Sequence, residues 1–271
     1  TFVIQSNLKE TQILFNEFIR KCYNPYPLVH GSSTALFELY NKIQNNNFKL
    51  TFTGEGTDEI LGGYERYSRQ LFLLKKKKLN FSEMILKTYK KDINLVKENF
   101  KDQISAHLMH NLKRKIKLIK LNSHQNENKI LEFDQLTFLP SVLQRHDFIG
   151  MNYSIEVRPM YLDHELVELA NQLPVNFKFS LKENKIILRR LFKLKYGHEN
   201  HKLKLGTPSL FKVMMSNKIE IKNFKETVFY GALKKFLKVE EVLKKIKTNY
   251  KERDSIFLWR LYVLNKIMYN F

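Results

Sequence analysis

Apolar residues recur along most of this chain at the three- and four-residue spacing that is typical of helices. The spacing predicts helices over residues 10–20, 32–43, 166–173, 185–192 and 256–268, and a proline at position 174 should end the third of them. From residue 68 onward the pattern is helical almost throughout. The chain should therefore contain mostly helices.

Two short runs near the N-terminus break the helical pattern. Residues 1–5, TFVIQ, and residues 49–53, KLTFT, are rich in β-branched and aromatic side chains, which favour strands. Two predicted helices lie between the two runs, and a glycine-rich loop and another helix follow the second. This order indicates the end of a parallel α/β sheet, with a helical layer after it.

Composition narrows the class of protein. With 43% hydrophobic residues the chain is too apolar to be a disordered polycation. It has no run of 18 apolar residues and no signal-peptide pattern, so we expect neither a membrane span nor secretion. Its one cysteine, Cys22, excludes an intrachain disulfide and fits a reducing compartment. We therefore expect a cytoplasmic protein.

The net charge of +20 raises the question of a nucleic-acid partner. Basic residues cluster at 75–78 and again at 113–120, where Leu112, Ile116 and Ile119 interrupt them at helical spacing. That spacing indicates an amphipathic helix with a solvated basic face, which is the usual origin of a charge run. We therefore favour a solvated face and do not expect nucleic-acid binding.

The segment TGEGTDE, residues 53–59, carries the clearest chemical signal. Its glycines let the backbone turn sharply and approach a ligand, and the following helix would present N–H groups to a phosphate. The carboxylates of Glu55, Asp58 and Glu59 repel one another unless a cation or an ammonium group sits among them. A magnesium-bound nucleotide would meet that need. An ordinary acidic turn capped by Thr57 or Asp58 is the alternative, and the loop alone leaves both open.

A second segment, YSIEVRPMYLDH at residues 153–164, places Glu156, Arg158 and Asp163 within an apolar stretch. Buried charges need partners, so we expect these residues to be buried and paired. Either a structural ion pair or a catalytic role would account for them.

Two lysine-containing segments follow. Lys185 and Arg189 lie one helical turn apart and are expected at the surface. Residues 204–208, KLGTP, form a loop that could hold an ammonium group near a phosphate. By itself neither segment identifies a site.

Taken in order, these segments resemble the C-terminal synthetase domain of the glutamine-hydrolysing asparagine synthetase family. The family pattern is approximately SGEGxDExxGGY, LPxxLxRxDxxSMxxSxExRxPFLDHxLVE, LPxxxK, KxILR and RxxKxGFxxP. The chain has TGEGTDEILGGY at 53–64, LPSVLQRHDFIGMNYSIEVRPMYLDHELVE at 139–168, LPVNFK at 173–178, KIILR at 185–189 and KLGTP at 204–208. Order, spacing and chemistry agree over about 150 residues.

The resemblance implies a helix-rich α/β fold. It would be a truncated parallel sheet of the PP-loop ATP pyrophosphatase (adenine nucleotide alpha hydrolase-like) type with a helical C-terminal layer, forming one synthetase domain over residues 1–271. Its implied activity is ATP-dependent adenylation of the aspartate side-chain carboxylate, followed by attack of ammonia derived from glutamine. ATP and Mg²⁺ would be required, and the family allows a homodimer.

Carried over by position, the resemblance also implies site residues. Ile4, Thr53 and Gly54 would contact the nucleotide, and Glu55 would be tied to formation of the acyl-adenylate. Asp58 would bind Mg²⁺. Lys204 would stabilise the developing phosphate charge, and Arg145 would pair with the substrate carboxylate.

The chain also departs from the family pattern. The SGGxDS pyrophosphate loop and the glutaminase domain do not occur in it, and its first residue is Thr rather than Met. We expect a piece of a longer enzyme, or a split or degenerate gene product, that is inactive by itself. Two alternatives stay open: an amidotransferase or lactam-forming synthetase that acts on another carboxylate, and a basic binding protein with vestigial synthetase ancestry.

Overall fold

The computed structural model describes residues 8–21, 33–122, 127–198, 218–247 and 252–268, which form a helix-rich α/β structure. The first helices are α1 (Leu8–Lys21), α2 (Ser33–Asn45), α3 (Thr57–Leu61), α4 (Glu65–Lys75), α5 (Phe81–Thr88), α6 (Lys90–Asn99), α7 (Asp102–Asn122), α8 (Lys129–Thr137) and α9 (Leu139–Asn152). The later ones are α10 (His164–Gln172), α11 (Val175–Lys178), α12 (Ile186–Tyr196), α13 (Lys218–Tyr230), α14 (Val239–Lys247) and α15 (Glu252–Met268). Within these ranges no helix has both the length and the apolar character that crossing a bilayer requires.

A two-stranded parallel sheet lies among the described helices. Strand β1 (Leu50–Thr53) pairs with β2 (Glu156–Pro159), so that Leu50 lies opposite Glu156 and Thr53 opposite Pro159. The predicted strand at residues 49–53 is thereby confirmed, whereas the one at residues 1–5 falls outside the described residues. Because the strands are parallel, their carboxyl ends meet at one edge, where the glycine-rich loop begins.

The sequence pattern did not predict strand β2. The positions of its two charged residues also contradict the expectation that they are buried. Glu156 and Arg158 are not buried: their side chains are 59% and 58% exposed, because alternate residues of the strand point to solvent. Arg158 Nε donates a hydrogen bond of 2.8 Å to Glu156 Oε1. The alternative of a structural ion pair is therefore confirmed, but the pair lies at the surface. Asp163, which was also expected to be buried, is exposed.

The largest core cluster joins the N-terminal and C-terminal helices. From α1, Phe15 and Phe18 pack with Phe37 of α2, and Trp259 of α15 lies 5.3 Å from Phe15 between ring centroids. Tyr40 of α2 is fully buried in the same cluster. Burial of these large rings fixes α2 beside α9, which later supplies the site with two side chains.

A second core cluster forms between α4, α5, α7 and α8. Ile116 and Ile119 of α7 are buried in it, whereas the basic residues at 113–115 and 117 are exposed. The cluster therefore confirms the interpretation of this charge run as the solvated face of an amphipathic helix.

A third, small cluster anchors the helix that follows the glycine-rich loop. Ile60 and Leu61 of α3 are buried with Ala170 of α10, and Leu166 and Val167 pack against them. Helix α10 begins after Asp163, whose carboxylate accepts a hydrogen bond from the backbone N–H of Glu165, and it ends before Pro174 as predicted. The loop is thus held between the end of β1 and a packed helix pair.

Candidate active site

The glycine-rich loop follows β1 directly and turns the chain into α3. Gly56 has φ +87°, and a Cβ atom there would overlap the side chain of Leu162, so glycine is required. The hydroxyl of Thr57 donates to the carbonyl of Gly54 and closes the turn. Helix α3 begins after Gly56 without a side-chain cap, so neither Thr57 nor Asp58 caps it.

Glu55 points from this loop to α9. Its Oε1 lies 2.6 Å from His146 Nε2 and 3.3 Å from a terminal guanidinium nitrogen of Arg145. Burial opposes ionisation of Glu55, but the hydrogen bond and charge of His146 and the charge of Arg145 outweigh it and lower the pKa of the carboxyl group. Glu55 is therefore an ionised, firmly held carboxylate at neutral pH.

Behind His146 lies a buried tyrosine. The hydroxyl of Tyr40 is 2.7 Å from His146 Nδ1, on the opposite side of the imidazole from Glu55. Burial, and after it the charge of Glu55, raises the pKa of Tyr40, so its hydroxyl keeps its proton. Side chains from α2, the loop and α9 thus form one continuous line of hydrogen bonds.

Asp58 meets a different cation. Its Oδ1 lies 2.8 Å from Nζ of Lys185, the residue before α12, whose own φ is +49°. A Cβ atom on Gly63 would overlap both side chains, so the glycine makes room for the pair. Lys185 is half-buried rather than fully at the surface, whereas Arg189 is exposed as expected. The expected ammonium group among the loop carboxylates is present.

Glu59, the third carboxylate, turns into the interior. It is buried, and it accepts a hydrogen bond of 2.8 Å from the hydroxyl of Tyr64, while the amide of Gln135 donates to its backbone carbonyl. Burial raises the pKa of Glu59, although the bond from Tyr64 opposes this. The loop thus separates its three carboxylates by giving each a different partner.

The structure brings most of the sequence-predicted site residues to one edge of the sheet: Thr53, Gly54, Glu55, Asp58 and Arg145. Thr53 ends β1, and its Oγ1 is buried with no hydrogen-bond partner among the described residues. Gly54 has open space where a side chain would be. Ile4 and Lys204 lie outside the described residues.

Three residues at this edge were missed by sequence reasoning: Tyr40, His146 and Lys185. Tyr40 and Lys185 occur in otherwise ordinary helical patterns, and His146 stands between Arg145 and an aspartate in a segment assigned to helix. Only the juxtaposition of His146 to Arg145 in the motif LQRHD offered a signal. Contacts between positions about 100 residues apart depend on the fold.

Carboxylate groups at this edge suggest a metal ion, so we asked whether the side chains there could bind one. Among the described residues there is no cluster of three or more His, Cys, Asp or Glu side chains that would hold a metal ion by itself. Magnesium, however, commonly takes only one or two protein carboxylates together with substrate phosphates. Asp58 offers one such carboxylate, in the first turn of α3 directly after the glycine-rich loop.

A comparison with protein families identifies the chain. A family model described as asparagine synthase matches residues 5–199, which are 195 of the 271 residues. The chain therefore belongs to the asparagine synthase family, a family of ATP-using ligases of amino-acid biosynthesis. The resemblance found in the sequence is confirmed. No curated protein sequence matches the chain.

Proposed function

We propose that this chain is the synthetase domain of an ATP-dependent amide-forming enzyme that adenylates the side-chain carboxylate of aspartate for attack by ammonia from glutamine. The observation that carries the proposal is Glu55, an ionised carboxylate held at the carboxyl edge of the sheet by Arg145 and His146. In open α/β sheets, ligands bind outside that edge. We further propose a PP-loop ATP pyrophosphatase fold, of which β1 and β2 are part.

The chemistry explains why such a site is needed. A carboxylate does not react with ammonia until one of its oxygens becomes part of a good leaving group. In the first step the aspartate oxygen attacks the α-phosphorus of ATP, the bond to pyrophosphate breaks, and an acyl-adenylate forms. In the second step ammonia attacks the carbonyl carbon, the bond to the AMP oxygen breaks, and the nitrogen loses a proton to give the amide.

The loop residues suit these steps. Thr53 and Gly54 would contact the nucleotide, because the first offers a buried hydroxyl without a described partner and the second leaves open space. Asp58 would hold Mg²⁺ together with the phosphates, and the ion would neutralise the charge that develops on the leaving pyrophosphate. The charge on Lys185 would offset the remaining carboxylate charge.

The remaining roles rest on the family resemblance. We propose that Ile4 contacts the adenine and that Lys204 stabilises the phosphate charge. Arg145 would bind the substrate carboxylate next to Glu55, which its guanidinium contacts. Together these positions would bring two negative groups, the substrate carboxylate and the phosphates, into contact with cations before reaction.

The test is substrate-dependent release of pyrophosphate by the full-length enzyme that carries this chain. With Mg-ATP, aspartate and ammonium, Glu55→Gln should abolish release while the far-ultraviolet circular dichroism stays that of the wild type. Glu156→Gln, which removes an exposed carboxylate on β2, is the matched control and should keep full activity. Release at the wild-type rate by Glu55→Gln would refute the proposal. If the wild-type enzyme released pyrophosphate only with another carboxylate, that compound and not aspartate would be the substrate.

A further inference from the structure

A line of two short hydrogen bonds leads from the core to the proposed catalytic loop. Tyr40 Oη lies 2.7 Å from His146 Nδ1, and His146 Nε2 lies 2.6 Å from Glu55 Oε1. Tyr40 is fully buried, His146 is 7% exposed, and the two rings are nearly perpendicular at 88°. The imidazole of His146 therefore lies between the buried Tyr40 and Glu55 of the loop.

The partners of the imidazole determine where its hydrogens are. A neutral imidazole can accept the Tyr40 hydroxyl hydrogen at Nδ1, and an imidazolium can donate from Nδ1 to the hydroxyl oxygen; in both cases Nε2 carries a hydrogen. In the remaining tautomer only Nδ1 carries a hydrogen, and Nε2 could accept from the guanidinium nitrogen of Arg145 at 3.1 Å. Its lone pair would then lie 2.6 Å from an ionised carboxylate oxygen, which is unfavourable. We therefore assign Nε2 as the donor to Oε1 of Glu55.

Two side chains of α9, those of Arg145 and His146, contact the same oxygen of Glu55. His146 Nε2 and the guanidinium of Arg145 each contact Oε1, and Oε2 has no hydrogen-bond partner among the described residues. The side chain of Glu55 keeps 28% of its surface exposed. One carboxylate oxygen is thus held by two groups, while the other has no partner among the described residues.

We propose that Tyr40 and His146 are positioning residues that hold Glu55 through Oε1, with Tyr40 orienting the imidazole, and that they leave Oε2 for the reacting groups. This inference rests on the proposed synthetase function. It assigns a role to two residues that do not themselves touch the substrate. Their contribution should appear in the rate of the chemical step rather than in nucleotide binding, because a misplaced catalytic group affects mainly the transition state.

The first test is the steady-state rate of pyrophosphate release by the full-length enzyme. His146→Leu should lower kcat by about a hundredfold and leave KM for ATP unchanged, whereas His146→Gln, whose amide can still donate to Glu55, should lose about tenfold. Tyr40→Phe should also lose about tenfold. The matched control is Tyr153→Phe, which removes the hydroxyl of a buried tyrosine in the same core cluster and should not alter kcat.

A double-mutant cycle distinguishes a purely structural role of His146 from an effect that acts through Glu55. Glu55→Asp keeps a carboxylate but withdraws it from Nε2 by one methylene group. If His146 acts through Glu55, adding His146→Leu to Glu55→Asp should cost less than about threefold. The full loss of about a hundredfold in that background, or no loss in the single variant His146→Leu, would overturn the inference.

A spectroscopic test does not depend on activity. In ¹⁵N-labelled wild-type protein, the His146 imidazole should show a protonated Nε2, and comparison with His146→Gln identifies its signals among the eight histidines. Tyr40→Phe should shift the Nδ1 signal. An unprotonated Nε2 would overturn the inference even in an active enzyme, whereas a protonated Nε2 without pyrophosphate release would uphold the hydrogen-bond line and refute the synthetase function.

Discussion

Replacing Lys185 with Met tests whether its ammonium group stabilises the carboxylate-bearing loop. Lys185 and Asp58 are in direct contact at 2.8 Å, with side chains that are 28% and 19% exposed. Met has the same unbranched shape at Cβ as Lys, so both residues meet a similar cost at φ +49°. The substitution therefore removes a charge without changing the backbone strain.

The magnitude follows from this geometry. The contact is a close ion pair between partly exposed side chains, and such a pair contributes about 1 kcal/mol at most. We expect Lys185→Met to lower the free energy of unfolding by about 1 kcal/mol, because this ion pair is lost. The double variant Lys185→Met, Asp58→Asn removes both charges and should lose less than the single variant.

The assay is urea unfolding followed by far-ultraviolet circular dichroism. Lys182→Met is the matched control, since Lys182 is exposed and lies three residues earlier in the chain. Equal stability of Lys185→Met and Lys182→Met would refute the reasoning. A double variant that is less stable than Lys185→Met would refute it too.

Two further predictions concern Mg²⁺ and pH. Asp58→Asn should raise the Mg²⁺ concentration needed for half-maximal pyrophosphate release, because a neutral amide binds a hard cation less well than a carboxylate; an unchanged Mg²⁺ titration would contradict this. Burial lowers the pKa of Lys178 to about 8, so between pH 8 and 10.5 the unfolded chain binds more protons and stability should rise with pH. Urea unfolding across that window checks it, and Lys178→Met should flatten the rise.

Helical elements were predictable where one apolar face meets a core. The spacing of Phe15, Phe18 and Ile19 in α1, and of Ile116 and Ile119 in α7, matches the buried faces that the structure has. Strand β2 was not predictable, because it has only four residues and two of them are charged. Its pairing with β1 is a long-range contact, and no local pattern encodes it.

Some residues of the candidate site were likewise predictable from the sequence, and others were not. The glycines and carboxylates of the loop are contiguous in sequence, so Glu55 and Asp58 could be identified as site candidates from the motif. Their partners come from helices that are distant along the chain, and the choice of His146 for Glu55 and Lys185 for Asp58 depends on how α9 and α12 pack. The sequence indicated that the loop carboxylates need cationic partners. Which residues become those partners depends on the fold.

In the proposed reaction the enzyme transfers AMP to a substrate carboxylate at the Glu55 loop. The most direct measurement uses aspartate labelled with ¹⁸O in its side-chain carboxylate, together with Mg-ATP, ammonium and the full-length enzyme, followed by mass spectrometry of the nucleotide products. Because the bond that breaks in the second step leaves the carboxylate oxygen on AMP, our account predicts one ¹⁸O atom in each AMP molecule. Unlabelled AMP, or ADP as the nucleotide product, would contradict it.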